Sequence, residues 1–205
     1  MKFLALILGS WVYMPYSILV KFILYCRGIH VGKRFYIEGI PKLRGDLKNI
    51  TIGNDVKIMG DCDIRTRENG TIVIGDGCKI DTNVRLIAAN DATLTIGRET
   101  NIACYSVFNC GANVTIGQKV MISGFVYVQS SNHGMQKDMF IKDQKHTYGE
   151  IILDDDVWLG SHVSVLPGVY IKKGAVVGSH GVVTRNVEEY EVVVGVPAKH
   201  LRYRN

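Results

Sequence analysis

The stretch LDDDVWLGSHVSVLPGVYIKKGAVVGSHGVV, residues 153 to 183, repeats every six residues. Large aliphatics stand at Leu153, Leu159, Val165, Ile171, Val177 and Val183. A helix would recur at about 3.6 residues and a half-buried strand at two, so this pattern is neither. Six suits a triangular coil with six residues to a side, the aliphatic inside each side. Such coils stack, each pairing only with its neighbours, as in a β-solenoid.

The period extends upstream. Ile-Gly pairs begin at Ile52, Ile74, Ile96 and Ile116, steps of 22, 22 and 20 residues. Between them the aliphatic register continues through Ile58, Ile64, Ile80, Leu86, Ile102, Phe108, Ile122 and Val128. Four residues after the aliphatics sit small or β-branched residues, such as Val56, Cys62, Cys78, Thr100, Ser106, Val163 and Ala175. These fit where the chain turns a corner, and Cys62 and Cys78 read as small core residues. A step of 22 is one eighteen-residue turn plus four, which predicts extruded turns at Arg67-Glu68-Asn69-Gly70 and Ala89-Asn90-Asp91-Ala92. The open ends of such a stack need caps. The expected organisation is an all-β solenoid over 46–185, an N-terminal hydrophobic helix and cap over 1–45, and a C-terminal cap over 186–205. Between Val128 and Leu153 the pattern stops, which predicts an extruded loop over 129–151.

Composition bounds the partners. Among 205 residues, 24 Lys+Arg against 19 Asp+Glu give net +5, too weak an excess to argue for nucleic acid. Five cysteines with no C-x-x-C indicate neither a disulfide framework nor a zinc knuckle and point to a cytoplasmic location. Residues 3 to 20 carry no charge and lie between Lys2 and Lys21. Three placements fit this run: lying on a membrane surface through residues 3–25, packing on the body or in an oligomer contact, or spanning a bilayer. The first is favoured, at the inner face of the plasma membrane. Pro15 is expected to kink a helix here.

On these repeats and on residues 155–202, DDVWLGSHVSVLPGVYIKKGAVVGSHGVVTRNV followed by VVVGVPAKHLR, the chain resembles the hexapeptide-repeat acetyltransferases, in the branch of galactoside, maltose, serine and polysaccharide O-acetyltransferases. The resemblance implies a left-handed parallel β-helix, a homotrimer, and acetyl-CoA as co-substrate in a groove between subunits. It implies transfer of acetyl to a sugar hydroxyl, and the hydrophobic N-terminus favours a place in cell-envelope polysaccharide biosynthesis. Acetylation of a small soluble acceptor and a non-catalytic β-helix scaffold are the alternatives.

Acetyl transfer to a hydroxyl needs a base for the acceptor proton, and an imidazole titrates near working pH. The resemblance assigns this role to His133, at the root of the extruded loop. Its partner stays open, with Asp138 and Glu150 as candidates. Asn132 and Trp158 are assigned to the acceptor site. Gly160, Ser161 and Ser179 match groove positions, Thr184 and Arg185 match a cofactor-contacting Thr-Lys pair, and Lys199 and Arg202 match basic positions near the nucleotide phosphates. Ala103 and Gly111 stand where galactoside enzymes hold their sugar with Asn and Asp, so that acceptor chemistry does not carry over. His146, His162, His180, His200 and His30 are expected at the surface, with His146 in the outer part of the loop. No two histidines are five apart, as one zinc-binding relative requires, so no metal is expected.

Overall fold

The computed structural model describes Leu4, Leu6, Ile7 and residues 9–205. Among the described residues, seven successive coils build three parallel sheets, the three faces of a prism. Strands such as Ile50–Ile52, Thr71–Ile74 and Thr93–Ile96 form the first face. Lys57–Ile58, Lys79–Ile80 and Trp158–Leu159 lie on the second. Pro41–Arg44, Cys62–Thr66, Val84–Ala88, Val107–Cys110 and Tyr127–Gln129 lie on the third.

The repeat sets the register. Ile52, Ile74, Ile96, Ile116, Leu153 and Ile171 stack directly on one another. All six are at most 2% exposed. Burying one such side chain stabilises by roughly 1.5–3 kcal/mol, and stacking identical positions repeats that gain coil after coil. The corner residues are buried as well: Val56, Thr100, Ser106, Val163 and Ala175 are all 0% exposed. Thr100 Oγ1 donates to Gly117 O at 2.9 Å and Ser106 Oγ to Ser123 O at 3.1 Å, so these corner hydroxyls bond the next coil. Cys62 is 3% exposed, and burial pushes its thiol up to about 12. The two predicted turns are present, with Glu68 and Asn90 in the left-handed region at φ 51° and 58°.

Helix α1 (Tyr13–Cys26) closes the first end of the prism. It buries Tyr13, Ser17, Val20 and Leu24, one stripe at helical spacing. Its polar atoms satisfy the open edge of the first coil: Ser17 Oγ accepts from Ile37 N at 2.9 Å, Tyr16 OH donates to Gly39 O at 3.0 Å, and Lys21 Nζ donates to Gly32 O at 2.6 Å. Pro15 does not interrupt α1, because it is the third residue of that helix, where its missing N–H costs no helical hydrogen bond. One side of the hydrophobic run therefore packs on the body. The other side exposes Trp11, Met14, Ile18, Leu19, Phe22 and Ile23. No helix among the described residues is long and apolar enough to cross a membrane. Residues 3, 5 and 8 of the expected membrane-associated segment lie outside the described residues. At the other end, Glu191–Val194 extends the second face and Lys199–Tyr203 folds back antiparallel upon it.

Candidate active site

The extruded loop leaves the third face and returns to the first. A loop that leaves and rejoins a stack at one corner brings its two arms together antiparallel. Here Ser131–His133 pairs with His146–Tyr148, and Gly149 N donates to Ser130 O at 3.0 Å at the root. His133 thereby stands directly opposite His146. Their Nε2 atoms are 3.3 Å apart and their ring centroids 4.2 Å apart. One ring must donate and the other accept, so the two imidazoles share a proton position.

The expected separation of the two loop histidines is thus corrected. His146 is exposed, as expected, but it lies against His133 rather than in the outer loop. Neither Asp138 nor Glu150 hydrogen-bonds His133. A signal for the pair was present in the sequence: both histidines are three residues in from the root pair Ser130 and Gly149, and residues equidistant from the ends of an antiparallel excursion meet. Gln144 fixes the loop tip, accepting from Gln136 N at 2.7 Å and donating to Gln136 O and Met139 O at 2.9 and 2.8 Å. Met135, Phe140 and Ile141 are exposed on that tip.

Beneath the hairpin, a hollow of about 360 Å³ opens on the third face. Arg67, Arg85, Asn109, Gln129, His146 and Tyr148 line it. Gly111 is the reason Tyr148 can lie across it, because a Cβ there would come within 2.9 Å of Tyr148 Cε1. Asn132 sits beside His133, opposite Thr147. Trp158 lies elsewhere, on the second face, where Nε1 donates to Ser123 Oγ at 3.3 Å. It shares a hollow of about 520 Å³ with Met121, Lys119, Arg202 and Arg204. The structure therefore groups Trp158 with Arg202 and does not bring it to Asn132 within one chain.

The remaining expected cofactor residues lie along the upper coils. Ser161 and Ser179 stack at the corner between the second and third faces, their Oγ atoms 3.5 Å apart. Gly160 lies under the next coil: a Cβ there would meet Ser179 N at 2.6 Å, so coil stacking alone demands glycine. At the same corner Tyr105, Phe125, His162 and His180 form a column of stacked rings with centroids 5.0, 4.8 and 4.7 Å apart. Thr184 and Arg185 are exposed after the last strand of the third face. Arg185 Nη2 is 3.3 Å from Glu191 Oε1, a carboxylate that also accepts from Glu188 N at 2.9 Å. Burial of Glu191 opposes ionisation, but the Glu188 N–H, Arg185 and His200 outweigh it and hold the carboxyl below its ordinary value. Lys199 and Arg202 lie on the last strand. Among the described residues, no three His, Cys, Asp or Glu side chains group as a metal site.

Ser161 and Ser179 stand at one edge of the third face, and His133 leaves the opposite edge. Seven residue steps, Gly124 to Ser131, separate those edges within a coil, on the order of 20 Å.

No family model matches the sequence. The chain is 31% identical over 157 residues to a Mycobacterium tuberculosis protein named as an acetyltransferase, Rv3034c, covering 76% of this chain and 50% of that protein. The chain thus spans half the length of that relative. It is 28% identical over 187 residues to the Escherichia coli protein WbbJ, named as a lipopolysaccharide biosynthesis O-acetyl transferase, covering 86% of this chain and 94% of WbbJ. Among solved structures, a mutant of the N-acyltransferase AntD from Bacillus cereus, in complex with an amino-sugar nucleotide and coenzyme A, superposes with TM-score 0.58 at 21% identity, covering 90% of this chain and 89% of that one. That likeness shows the shared fold.

Proposed function

Because the chain belongs to the hexapeptide-repeat acetyltransferases, we propose that it transfers acetyl from acetyl-CoA to a sugar hydroxyl during synthesis of an envelope polysaccharide. The observation that carries this reading is the hairpin that holds His133 against His146 over a polar hollow of about 360 Å³. The WbbJ likeness supports the polysaccharide context, and the fold shared with a coenzyme A complex supports the acyl donor.

Bound acetyl-CoA supplies an activated acetyl group as a thioester. His133 accepts the acceptor hydroxyl proton as that oxygen attacks the carbonyl carbon, and returns it to the departing thiolate sulfur. His146 steadies the His133 ring through the opposing nitrogen. Ser161 and Ser179 offer small hydroxyl-bearing side chains to a narrow acyl arm, and Thr184, Arg185, Lys199 and Arg202 supply polar and cationic contacts for its nucleotide end. Asn132 and Trp158 contact the acceptor or wall its pocket, Trp158 from a neighbouring copy.

His133 and the Ser161–Ser179 corner stand apart within one chain, so the base of one copy completes the donor groove of another. A homotrimer of prisms packed side by side closes that arrangement. The exposed loop tip, with Met135, Phe140 and Ile141, reaches the neighbour. The exposed side of α1 lies on the inner face of the plasma membrane, where a lipid-linked acceptor would be found. The test is acetyl-CoA consumption screened across lipid-linked sugars, polysaccharides and small soluble acceptors. Consumption only with a small acceptor would overturn the polysaccharide assignment. Consumption with none would overturn the enzymatic one.

A further inference from the structure

The lower third face carries more positive charge than it neutralises. Parallel register stacks Lys42 on Asp63 and Asp63 on Arg85, and Arg44 directly on Arg65. Arg67 projects from the same edge. Of these five cations, Arg65 forms the close pair with Asp63, its Nε donating to Oδ1 at 2.7 Å. Arg85 reaches Asp63 only at 3.8 Å, and its Nε has no hydrogen-bond partner. Arg67 pairs with nothing among the described residues. Glu68 lines the hollow under the hairpin and Asp61 and Asp63 line the one beside Lys42, so these five cations meet three carboxylates and positive charge remains in excess. Like charges in direct register lower stability, so Arg44 on Arg65 is a local cost of the fold.

Arg67, Arg85 and Lys42 border two adjoining hollows, and Arg44 and Arg65 stand beside them on the same face. The hollow under the hairpin and a second of about 150 Å³ beside Lys42 share Arg85 as a common wall. Ile87 points outward yet is only 7% exposed, and forms the floor of the larger hollow. Toward the histidine pair the lining turns from cations to amides and a hydroxyl: Asn109 Nδ2 donates to Tyr127 OH at 3.1 Å, and Tyr127 OH donates to Gln129. From Arg44 to Gln129 the face climbs four coils, about 19 Å at one strand spacing each. That length exceeds one sugar.

We propose that this face binds an acidic glycan as the acceptor chain. The sugar to be acetylated lies under the hairpin against Asn109, Gln129 and Tyr148, and carboxylates of neighbouring sugars meet Arg67, Arg85 and Arg44. The proposal rests on the O-acetyltransferase reading and names its acceptor class. The anion could have a second source, the phosphates of coenzyme A, and the two are separable by direct binding.

The probes are a fluorescent galacturonate oligomer, a neutral maltooligosaccharide of the same length, and coenzyme A, each titrated against the full chain. The variant is Arg44→Gln with Arg67→Gln and Arg85→Gln, which leaves the Asp63–Arg65 pair intact, and its fold is checked by circular dichroism. Wild type is expected to bind the galacturonate at least tenfold more tightly than the neutral chain, and less tightly as salt rises from about 50 to 200 mM. The variant should lose that preference and keep coenzyme A binding. Equal binding of both oligosaccharides, an unchanged preference in the variant, or loss of coenzyme A binding alone would each overturn the proposal. If the variant does not fold, Arg67→Gln alone must reduce galacturonate binding severalfold, and an unchanged affinity overturns the proposal. Acetyl transfer is scored in parallel: galacturonate binding lost in the variant supports the site even without transfer, and absent transfer then counts against the enzymatic reading only.

Discussion

Replacing His133 by alanine removes the group proposed to take the acceptor proton. A positioned general base contributes about 10²- to 10⁴-fold, so kcat should fall by that factor. His146 acts through His133, and its effect is bounded by one hydrogen bond. The Nε2 to Nε2 separation of 3.3 Å is at the long end of the range. Such a bond contributes about 0.5–1 kcal/mol, which is roughly two- to fivefold in rate. His146→Ala should therefore lower kcat by that modest factor in the wild type and by nothing further in His133→Ala. Both side chains are exposed, so neither change should move stability by more than about 0.5 kcal/mol. The assay is thiol release from acetyl-CoA with a saturating acceptor, on the four proteins of the double-mutant cycle. Near wild-type turnover in His133→Ala would refute the assignment of the base. Independent, multiplying losses in the double variant would refute the coupling of the two rings.

Other predictions concern the frame. Gly160→Ala drives a Cβ to 2.6 Å from Ser179 N and 3.0 Å from Gly178 C, both backbone, and should cost about 1–3 kcal/mol in urea unfolding; an unchanged midpoint would show that the coils can separate there freely. Phe108→Ala empties a fully buried site and should cost about 3–5 kcal/mol by the same measurement, and a loss below 1 kcal/mol would show that the coils collapse to fill it. Glu191 titrates below its ordinary value in the folded state, so its contribution is present above about pH 4.3, the unfolded value, and is lost as pH falls through the folded one. Melting curves across acidic pH should show a shallower loss for Glu191→Gln, and identical slopes would remove this carboxylate from the acid response. On α1, Ile18→Glu with Phe22→Glu should abolish flotation with phosphatidylglycerol vesicles while leaving the melting temperature near wild type, since both side chains are exposed; wild-type chain that never floats would end the membrane reading.

The solenoid was legible in sequence because its signal is redundant. Each coil repeats the same burial problem, and one misread residue among Leu153, Leu159, Val165 and their counterparts would not have changed the period. The turn at Glu68 and the start of the extruded loop followed from arithmetic on that period. Pro15 shows where a local rule needed the element boundary: the same residue breaks a helix interior and is tolerated in a first turn, and only the structure shows that α1 begins at Tyr13.

The site divides in the same way. His133 was read as the base from its place at the root of the loop and from the motif around it, and the structure places it at that root. His146 was read as a surface residue because linear distance carries no information about an excursion that doubles back. Trp158 and Asn132 were assigned to one pocket, yet they occupy different faces, and Gly160 serves coil stacking before any ligand. The sequence by itself determined the period, the core and the coil stack, since these depend on residues that meet their own repeats. Tertiary structure alone decided which rings face each other, which arginines share a face, and that His133 stands a face's width from the Ser161–Ser179 corner. Those relations join residues with no periodic link, and only the closed geometry of the prism and its hairpin supplies one.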